Sequence, residues 1–387
     1  MALDVAKIHE NAGFLIRNWT SNNAEVLHKI GEINPATGKD FTVDKESGCE
    51  RLLGMIWLPA KDLFSYSLKL RDDIHKLILG EVVPTKREML RVVMSIYDPL
   101  GLVAAFVIHG KVLVQDVWRS KVGWDDQIPL NILTRWKLWL EVLRKLNNVQ
   151  VNRCYFPGYN PASYDKLELH VFVDASEQGY STVAYFRIVD RGKVRCALVA
   201  AKTKVAPLQP LTIPKMELMA AVIGARLRKM IEEEHSLKIY RTWFWSDSTT
   251  VISWIKSDVR RYRQFVAFRV SEILNLSSVE EWRWVPTQLN VADEATKWGK
   301  GPSFEAECRW FCGPEFLYDE EQEWPKDCRH LNMETEDELR PAFVCRHAVI
   351  EPLLEVNRFS KWERILRCVA YVQRFIDNET TNQQATS

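Results

Sequence analysis

The sequence is short of the features by which a chain usually announces its partners. No apolar run reaches the roughly twenty residues a bilayer span needs, because charged residues interrupt every hydrophobic stretch. The start, MALDVAKIHENAGF, has an early Asp and lacks the basic-then-apolar build of a secretory leader, so an intracellular, cytoplasmic protein without membrane contact is expected. Charge of one sign is missing as well: 52 Lys and Arg stand against 51 Asp and Glu, a net charge of +1. Bulk electrostatics therefore point to no polyanion, and any nucleic-acid contact must come from local basic clusters. No internal repeat occurs, and the only biased tract is the polar tail NETTNQQATS.

The eight cysteines fall at irregular spacing in a long chain, which fits reduced thiols better than a disulfide framework. The nearest approach to a zinc knuckle is Cys308, Cys312, Cys328 and His330, with Cys345 and His347 after them. No CxxC pairs with a second CxxC or an HxxxH, so the region reads as a Trp- and Pro-rich connecting segment.

What is present is ample apolar content over 387 residues, enough for two or three domains. The stretch to about Val83 reads as short strands joined by turns. PTKREMLRVVMSIYDPLG reads as a helix that opens near Pro84 and stops at Asp98-Pro99. VIHGKVLVQDVWRS and LNILTRWKLWLEVLRKL follow as helices whose Trp and Leu recur at core spacing. After Asn147 come three β-rich runs, LELHVFVDAS, YSTVAYFRIV and VRCALVAAKT, separated by Gly-containing turns. A long helix from Pro214 to about Glu234, a strand IYRTWFWSD, helices TTVISWIK and RYRQFVAFRVSEILNL, a strand EEWRWV and a short helix from Val291 complete this block. Three consecutive strands make an antiparallel meander, and the later strands, reached through helices, turn the sheet into a mixed one. A last helix is expected over RFSKWERILRCVAYVQRFI.

Four acids stand out of this pattern. Asp174 closes the first strand and Asp247 the fourth. Neighbouring strands lie about 4.8 Å apart, so carboxylates at adjacent strand ends can share a cation. Each alone also reads as a turn or N-cap acid. Glu217 sits in the first turns of the long helix, with the small residues Ala220, Ala221 and Gly224 on its own face, which lets the helix backbone approach the sheet. An exposed acid favouring the helix dipole is its plainer reading. Asp293 opens the last short helix. The order Asp-Glu-Asp-Asp, in strand-end, helix, strand-end and helix contexts, is the specific signal.

VFVDAS, IPKMEL, WSDSTTVISWI and VPTQLNVADEATK resemble the ribonuclease H domain of reverse transcriptases of BEL/Pao long-terminal-repeat retrotransposons, over about Leu167 to Trp298. Outside it, AGFLIRNWTSN and LGMIWLPAKDLFSY resemble closing strands of a reverse-transcriptase palm. PTKREMLRVVMSIYDPLGLV resembles the thumb or connection, and RWFCGPEFL with the RFSKWERILR helix resembles the tether toward integrase. The resemblance implies an α/β chain in four parts: a palm remnant (1–83), a helical thumb or connection (84–150), an RNase H-like domain with a mixed five-stranded sheet and flanking helices (151–298), and the tether (299–387). It further implies an endonuclease cutting the RNA strand of RNA–DNA hybrids with two Mg²⁺ or Mn²⁺ ions on Asp174, Glu217, Asp247 and Asp293. Polymerase and integrase parts of one polyprotein would be its neighbours, in the cytoplasm or a virus-like particle. Oxygen ligands suit these hard ions and not zinc.

Lys202, Lys204, Arg260, Arg261, Arg263 and Arg269 are candidates to track phosphates. The segment Trp284–Asp293 departs from many ribonucleases H in holding no His; Thr287, Gln288 and Asn290 stand there instead. No YxDD turn is present, which excludes polymerisation by this chain alone. BEL/Pao fragments are sometimes labelled peptidases, but Asp-Ser/Thr-Gly is also missing, since Asp247-Ser248-Thr249 lacks the glycine. An integrase-like nuclease shares the fold and places its final acid as a Glu on a late helix, unlike Glu217. The competing reading is a catalytically inactive scaffold or hybrid-binding module.

Overall fold

A computed structural model describes residues 2–16, 19, 21–33, 50–52, 55–66, 72–158, 166–190, 192–298, 302–326, 338–340 and 360–384. Residues up to Arg340 form one compact unit and Pro341–Ser387 a second. In the second, the expected last helix is present as Trp362–Gln384. Cys328, His330, Cys345 and His347 lie outside the described residues, while Cys308 and Cys312 are free thiols.

The first part departs from its all-strand expectation. Helices α1 (Ala2–Asn11) and α2 (Ala24–Ile33) precede strands β1 (Glu50–Leu52), β2 (Met55–Leu58) and β3 (Leu63–Tyr66), and α3 (Asp72–Leu79) follows. The segments ALDVAKIHEN and AEVLHKIGEI are made of good helix formers, and Asn23 accepts a hydrogen bond from Glu25 N at the start of α2. The described residues of AGFLIRNWTSN form no strand, whereas MIWL and LFSY pair as a hairpin.

Helix α4 (Lys86–Met94) begins at a capping box, Thr85 and Glu88 satisfying each other's backbone N–H groups. Helices α5 (Ala104–Arg119) and α6 (Leu130–Leu143) follow, and β4 (Gln150–Asn152) then joins β3, completing a four-stranded antiparallel sheet.

The second sheet holds the site. Strands β5 (Lys166–Ala175), β6 (Gly179–Asp190) and β7 (Lys193–Val205) form the antiparallel meander. Helix α7 (Ile213–Glu234) crosses to β8 (Arg241–Ser246), parallel to β5; α8 (Thr249–Lys256) and α9 (Gln264–Leu276) cross to β9 (Trp282–Trp284), parallel to β8. The order β7-β6-β5-β8-β9 is a mixed five-stranded sheet with flanking helices, as expected. Short helices α10 (Asp293–Thr296) and α11 (Arg309–Cys312) follow, with α12 (Trp362–Gln384) in the second unit.

Strand alternation divides the core by face. Leu169, Val171 and Val173 pack with Leu218, Ala221 and Leu227 of α7 and with Val266 and Val270 of α9. Phe172, Tyr185, Trp243 and Trp245 point the other way and join one apolar cluster with α5, α6, Trp310, Phe316 and Trp324. The helical block and the sheet thus share a core across residue 150. Both faces are covered, as central parallel strands require.

The loop between α4 and α5 is fixed by Asp98, whose carboxylate accepts from Leu102 N and Val103 N, both at 2.9 Å, and from Tyr66 Oη at 2.7 Å. Gly101 holds φ at +76°, and a Cβ there would lie 2.0 Å from the Ala201 carbonyl oxygen of β7. Backbone cannot step aside, so Gly101→Ala is expected to destabilise the protein by about 2–4 kcal/mol. A wild-type denaturation midpoint in that variant would disprove the contact.

Candidate active site

The register of the sheet brings two of the four acids together. Val173 pairs with Ser246, so Asp174 and Asp247, each one residue further on, stand side by side at the ends of parallel strands. Asp293 reaches the same place from the first turn of α10. Ser181 Oγ on β6 secures that turn by donating to the Ala292 carbonyl at 2.9 Å. Carboxylate oxygens of Asp174, Asp247 and Asp293 lie within 4.8 Å of one another.

Glu217 is not in that set of three. It faces the neighbouring turn, where Ser248 Oγ donates to its Oε2 at 2.6 Å. The small face of α7 allows this approach: a Cβ on Gly224 would come 2.6 Å from Val173 Cγ1.

Crowding and burial govern the charges. The Asp174 carboxyl is pushed up to about 8, first by burial and then by Asp293 and Asp247, against a hydrogen bond donated by Thr296 Oγ1. Burial also raises Asp247 and Glu217, with repulsion from Asp293 and Asp247 respectively adding to it. Lys297 Nζ donates to Asp293 Oδ2 at 2.7 Å. Burial opposes its charge, but that bond and the fields of the three aspartates raise its pKa overall. The other oxygen, Asp293 Oδ1, is buried with no hydrogen-bond partner among the described residues.

Three converging carboxylates, one with an orphaned oxygen and one driven toward its protonated form, fit a divalent cation. An all-oxygen donor set suits hard divalent ions.

Sequence reasoning gave the loop before Asp293 no part beyond its missing His. Here Asn290, fully buried, donates through Nδ2 to the Val173 carbonyl at 3.0 Å and to Asp247 Oδ1 at 3.1 Å. Its Oδ1 accepts from Ala292 N at 3.2 Å, and Thr287 hydrogen-bonds Asp247 as well. Asn290 therefore ties both strand ends to α10. Arg309 of α11 holds this loop from outside, donating to the Gln288 carbonyl at 2.5 Å and to Glu294 at 2.9 Å. An Asn directly after a Gln-Leu pair gives no periodic signal, so only the folded loop reveals it.

The basic candidates fall into two groups. Lys204 lies opposite Tyr180, which lies opposite Ala175, so it stands two strands from the acidic rim at the same level; Lys202 follows on the same strand. Arg269 stacks over Phe265, 3.5 Å from the ring centroid, and donates to the Phe265 carbonyl. Arg260, Arg261 and Arg263 sit where the chain turns into α9. Arg260 pairs with Asp258 at 2.7 Å, while the backbones of Arg261 and Arg263 bond Arg340 and Glu338. Trp243 and Trp254 are core residues.

Residues 85–248 match the family model described as Pao retrotransposon-like RNaseH-like domain, a span that holds Asp174, Glu217 and Asp247. Three solved structures are similar. The N-terminal RNase H domain of a Mycobacterium tuberculosis protein, fused to maltose binding protein, is 13% identical over 32% of this chain and 86% of that one, TM-score 0.24. RNase H1 of the halophilic archaeon Halobacterium salinarum is 11% identical over 32% and 89%, TM-score 0.22. LC11-RNase H1 in complex with an RNA/DNA hybrid is 13% identical over 34% and 93%, TM-score 0.23. No curated protein matches the sequence. No helix among the described residues is long and apolar enough to cross a membrane.

Proposed function

We propose that the chain, whose residues 85–248 match the model of a Pao retrotransposon-like RNaseH-like domain, is a divalent-metal-dependent endonuclease that cuts the RNA strand of RNA–DNA hybrids. The observation that carries this reading is the convergence of Asp174, Asp247 and Asp293 within 4.8 Å at one rim of the sheet. Mg²⁺ or Mn²⁺ held there would neutralise the phosphodiester and acidify its attacking water. Glu217, through Ser248, completes the acidic rim on the α7 side.

The chain's own residues supply position and charge. Thr296 orients Asp174, while Asn290 and Thr287 orient Asp247. Such outer contacts fix a ligand's angle and basicity. Lys297 neutralises part of the cluster through Asp293, and its ammonium stands ready to meet a phosphate oxygen. Lys202, Lys204 and Arg269 form the side of the sheet on which the hybrid backbone would run; Arg260, Arg261 and Arg263 extend it. Polymerase and integrase parts of the same polyprotein, with a tether over 299–387, complete the reading.

Incubation of a labelled RNA–DNA hybrid with the full chain and Mg²⁺ is expected to give RNA fragments, abolished by EDTA and reduced at least about 1000-fold in Asp174→Asn. Hybrid binding without cleavage would make the protein a scaffold; cleavage surviving in the variant would remove the site.

A further inference from the structure

Beside the acidic rim lies a cavity of about 500 Å³, within the range of small-ligand sites. Its walls are α5 and α6, the turn Ser176–Gln178 that follows Asp174, and residues Thr296–Trp298 that follow Asp293. Thr296 and Lys297 belong to both places: each bonds a carboxylate of the cluster and lines this cavity. Whatever fills it lies against two residues that bond the acidic cluster.

The polarity of the lining is graded. His109 is 6% exposed, and its Nε2 has no hydrogen-bond partner among the described residues. A buried polar atom left unpaired is costly, and His109 is a residue of the cavity wall, so a ligand donor or acceptor that reached this ring would relieve that cost. Burial, and then the charge of Arg135, lower the His109 pKa to about 4, so the ring is neutral at physiological pH and suits an uncharged partner. The Trp298 ring lies 4.3 Å from it, centroid to centroid, and Leu138 adds apolar wall. Two cations belong to the lining, Arg135, held by Asp116 at 2.6 Å, and Lys297, held by Asp293 at 2.7 Å, and the exposed Glu177 carboxylate belongs to it as well. An imidazole that is neutral at physiological pH, an aromatic wall and two guanidinium or ammonium groups in the lining match a nucleoside with its phosphate, and not a phosphate alone. Recognition of unpaired bases by aromatic stacking with edge hydrogen bonds is the general route to single-stranded nucleic acid.

We propose that this cavity is a subsite for one unpaired nucleotide flanking the hybrid, its base against Trp298 and His109 and its phosphate between Arg135 and Lys297. The identity of the polymer as a hybrid rests on the function proposed above; the nucleotide class rests on the cavity itself.

Two measurements on the full chain test it. In saturation-transfer NMR, adenosine 5′-monophosphate is expected to bind the wild type, to bind at least about 10-fold more weakly to His109→Phe, and to lose binding in Leu138→Trp, where an exposed wall residue is enlarged without touching the core. In cleavage, the wild type is expected to show a KM several-fold lower for a hybrid with one unpaired nucleotide at its end than for a blunt hybrid, a ratio that returns to about one in Leu138→Trp. Equal binding of the mononucleotide by wild type and Leu138→Trp, or equal KM values for the two hybrids in the wild type, would overturn the subsite. Mononucleotide binding blocked by Leu138→Trp in a chain that cuts no hybrid would uphold the subsite and remove the nuclease. Cleavage without mononucleotide binding would do the reverse.

Discussion

Replacing Asp174 by Asn is expected to abolish cleavage and, in the absence of metal, to make the protein more stable. The carboxyl is 4% exposed and its pKa stands at about 8, raised by burial and by Asp293 and Asp247, whereas an unfolded chain ionises it near pH 4. Between these values the folded form holds a proton that the unfolded form releases. Stability is therefore fully present below about pH 4 and is lost as pH rises through about 8. Asp247 and Glu217, raised in the same direction, add to the trend. The asparagine removes the penalty while keeping an oxygen for the Thr296 hydroxyl. At pH 8 without divalent ions the melting temperature of Asp174→Asn should exceed that of the wild type by about 5 °C or more, the difference shrinking toward pH 5. Mg²⁺ should raise the wild-type value, more at pH 8 than at pH 6, and leave the variant nearly unmoved. Wild-type stability flat from pH 5 to 8 in EDTA would contradict the crowded-carboxylate account.

The second large effect belongs to Asn290. Asn290→Ala strips the Val173 carbonyl and Asp247 of a donor and leaves Ala292 N without its acceptor, all in a buried setting. Groups left unsatisfied cost about 1–3 kcal/mol each, so the denaturant midpoint should fall clearly. The loop also sets the angle of Asp247 and the start of α10, so cleavage should drop about 10- to 100-fold with a higher Mg²⁺ midpoint. Asn290→Asp keeps the acceptor for Ala292 and adds a negative charge to the cluster; it should be worse than alanine at pH 8 and recover as pH falls. If Asn290→Ala kept the wild-type Mg²⁺ midpoint and rate, the loop would have no positioning role.

The parts of this molecule that were legible in sequence are those written in a local period. LELHVFVDAS, YSTVAYFRIV and VRCALVAAKT declare a meander because alternation and β-branching are properties of adjacent residues. Gly224, three and four positions from Ala221 and Ala220, declares a close helix approach for the same reason. The ordered acids follow, since each closes or opens such an element. What escaped are contacts made between distant segments. Asn290 acts through atoms on β5 and on Asp247 just beyond β8, and Thr296 through one on β5. The run around Arg309 to Trp324 reads as a connector because its Trp and Pro have no period, yet Trp310, Phe316 and Trp324 join α5 and α6 in covering one face of the sheet. Helices α1 and α2 differ from the strand expectation for another reason: ten-residue segments are too short for a helical period to outweigh neighbouring Gly and Pro punctuation.

That late cover bears on how the chain must fold. Arg187, buried on β6, gives its guanidinium to Glu168, to the Leu317 carbonyl at 2.6 Å and to the Asp319 carbonyl at 3.0 Å. Trp310 Nε1 donates to the Leu102 carbonyl at 2.9 Å, and Tyr185 Oη to the Trp310 carbonyl at 2.6 Å. The two carbonyl acceptors of Arg187 thus emerge about 130 residues after the arginine itself. During synthesis all five strands exist before the cover that α5 and α6 begin on the second face can be completed, with a cation and a row of tryptophans waiting at it. Closing so long a loop is slow, and an uncovered sheet face is sticky. The interval between the making of Trp284 and of Trp324 is therefore when this chain is most exposed to aggregation, and chaperone dependence would concentrate there.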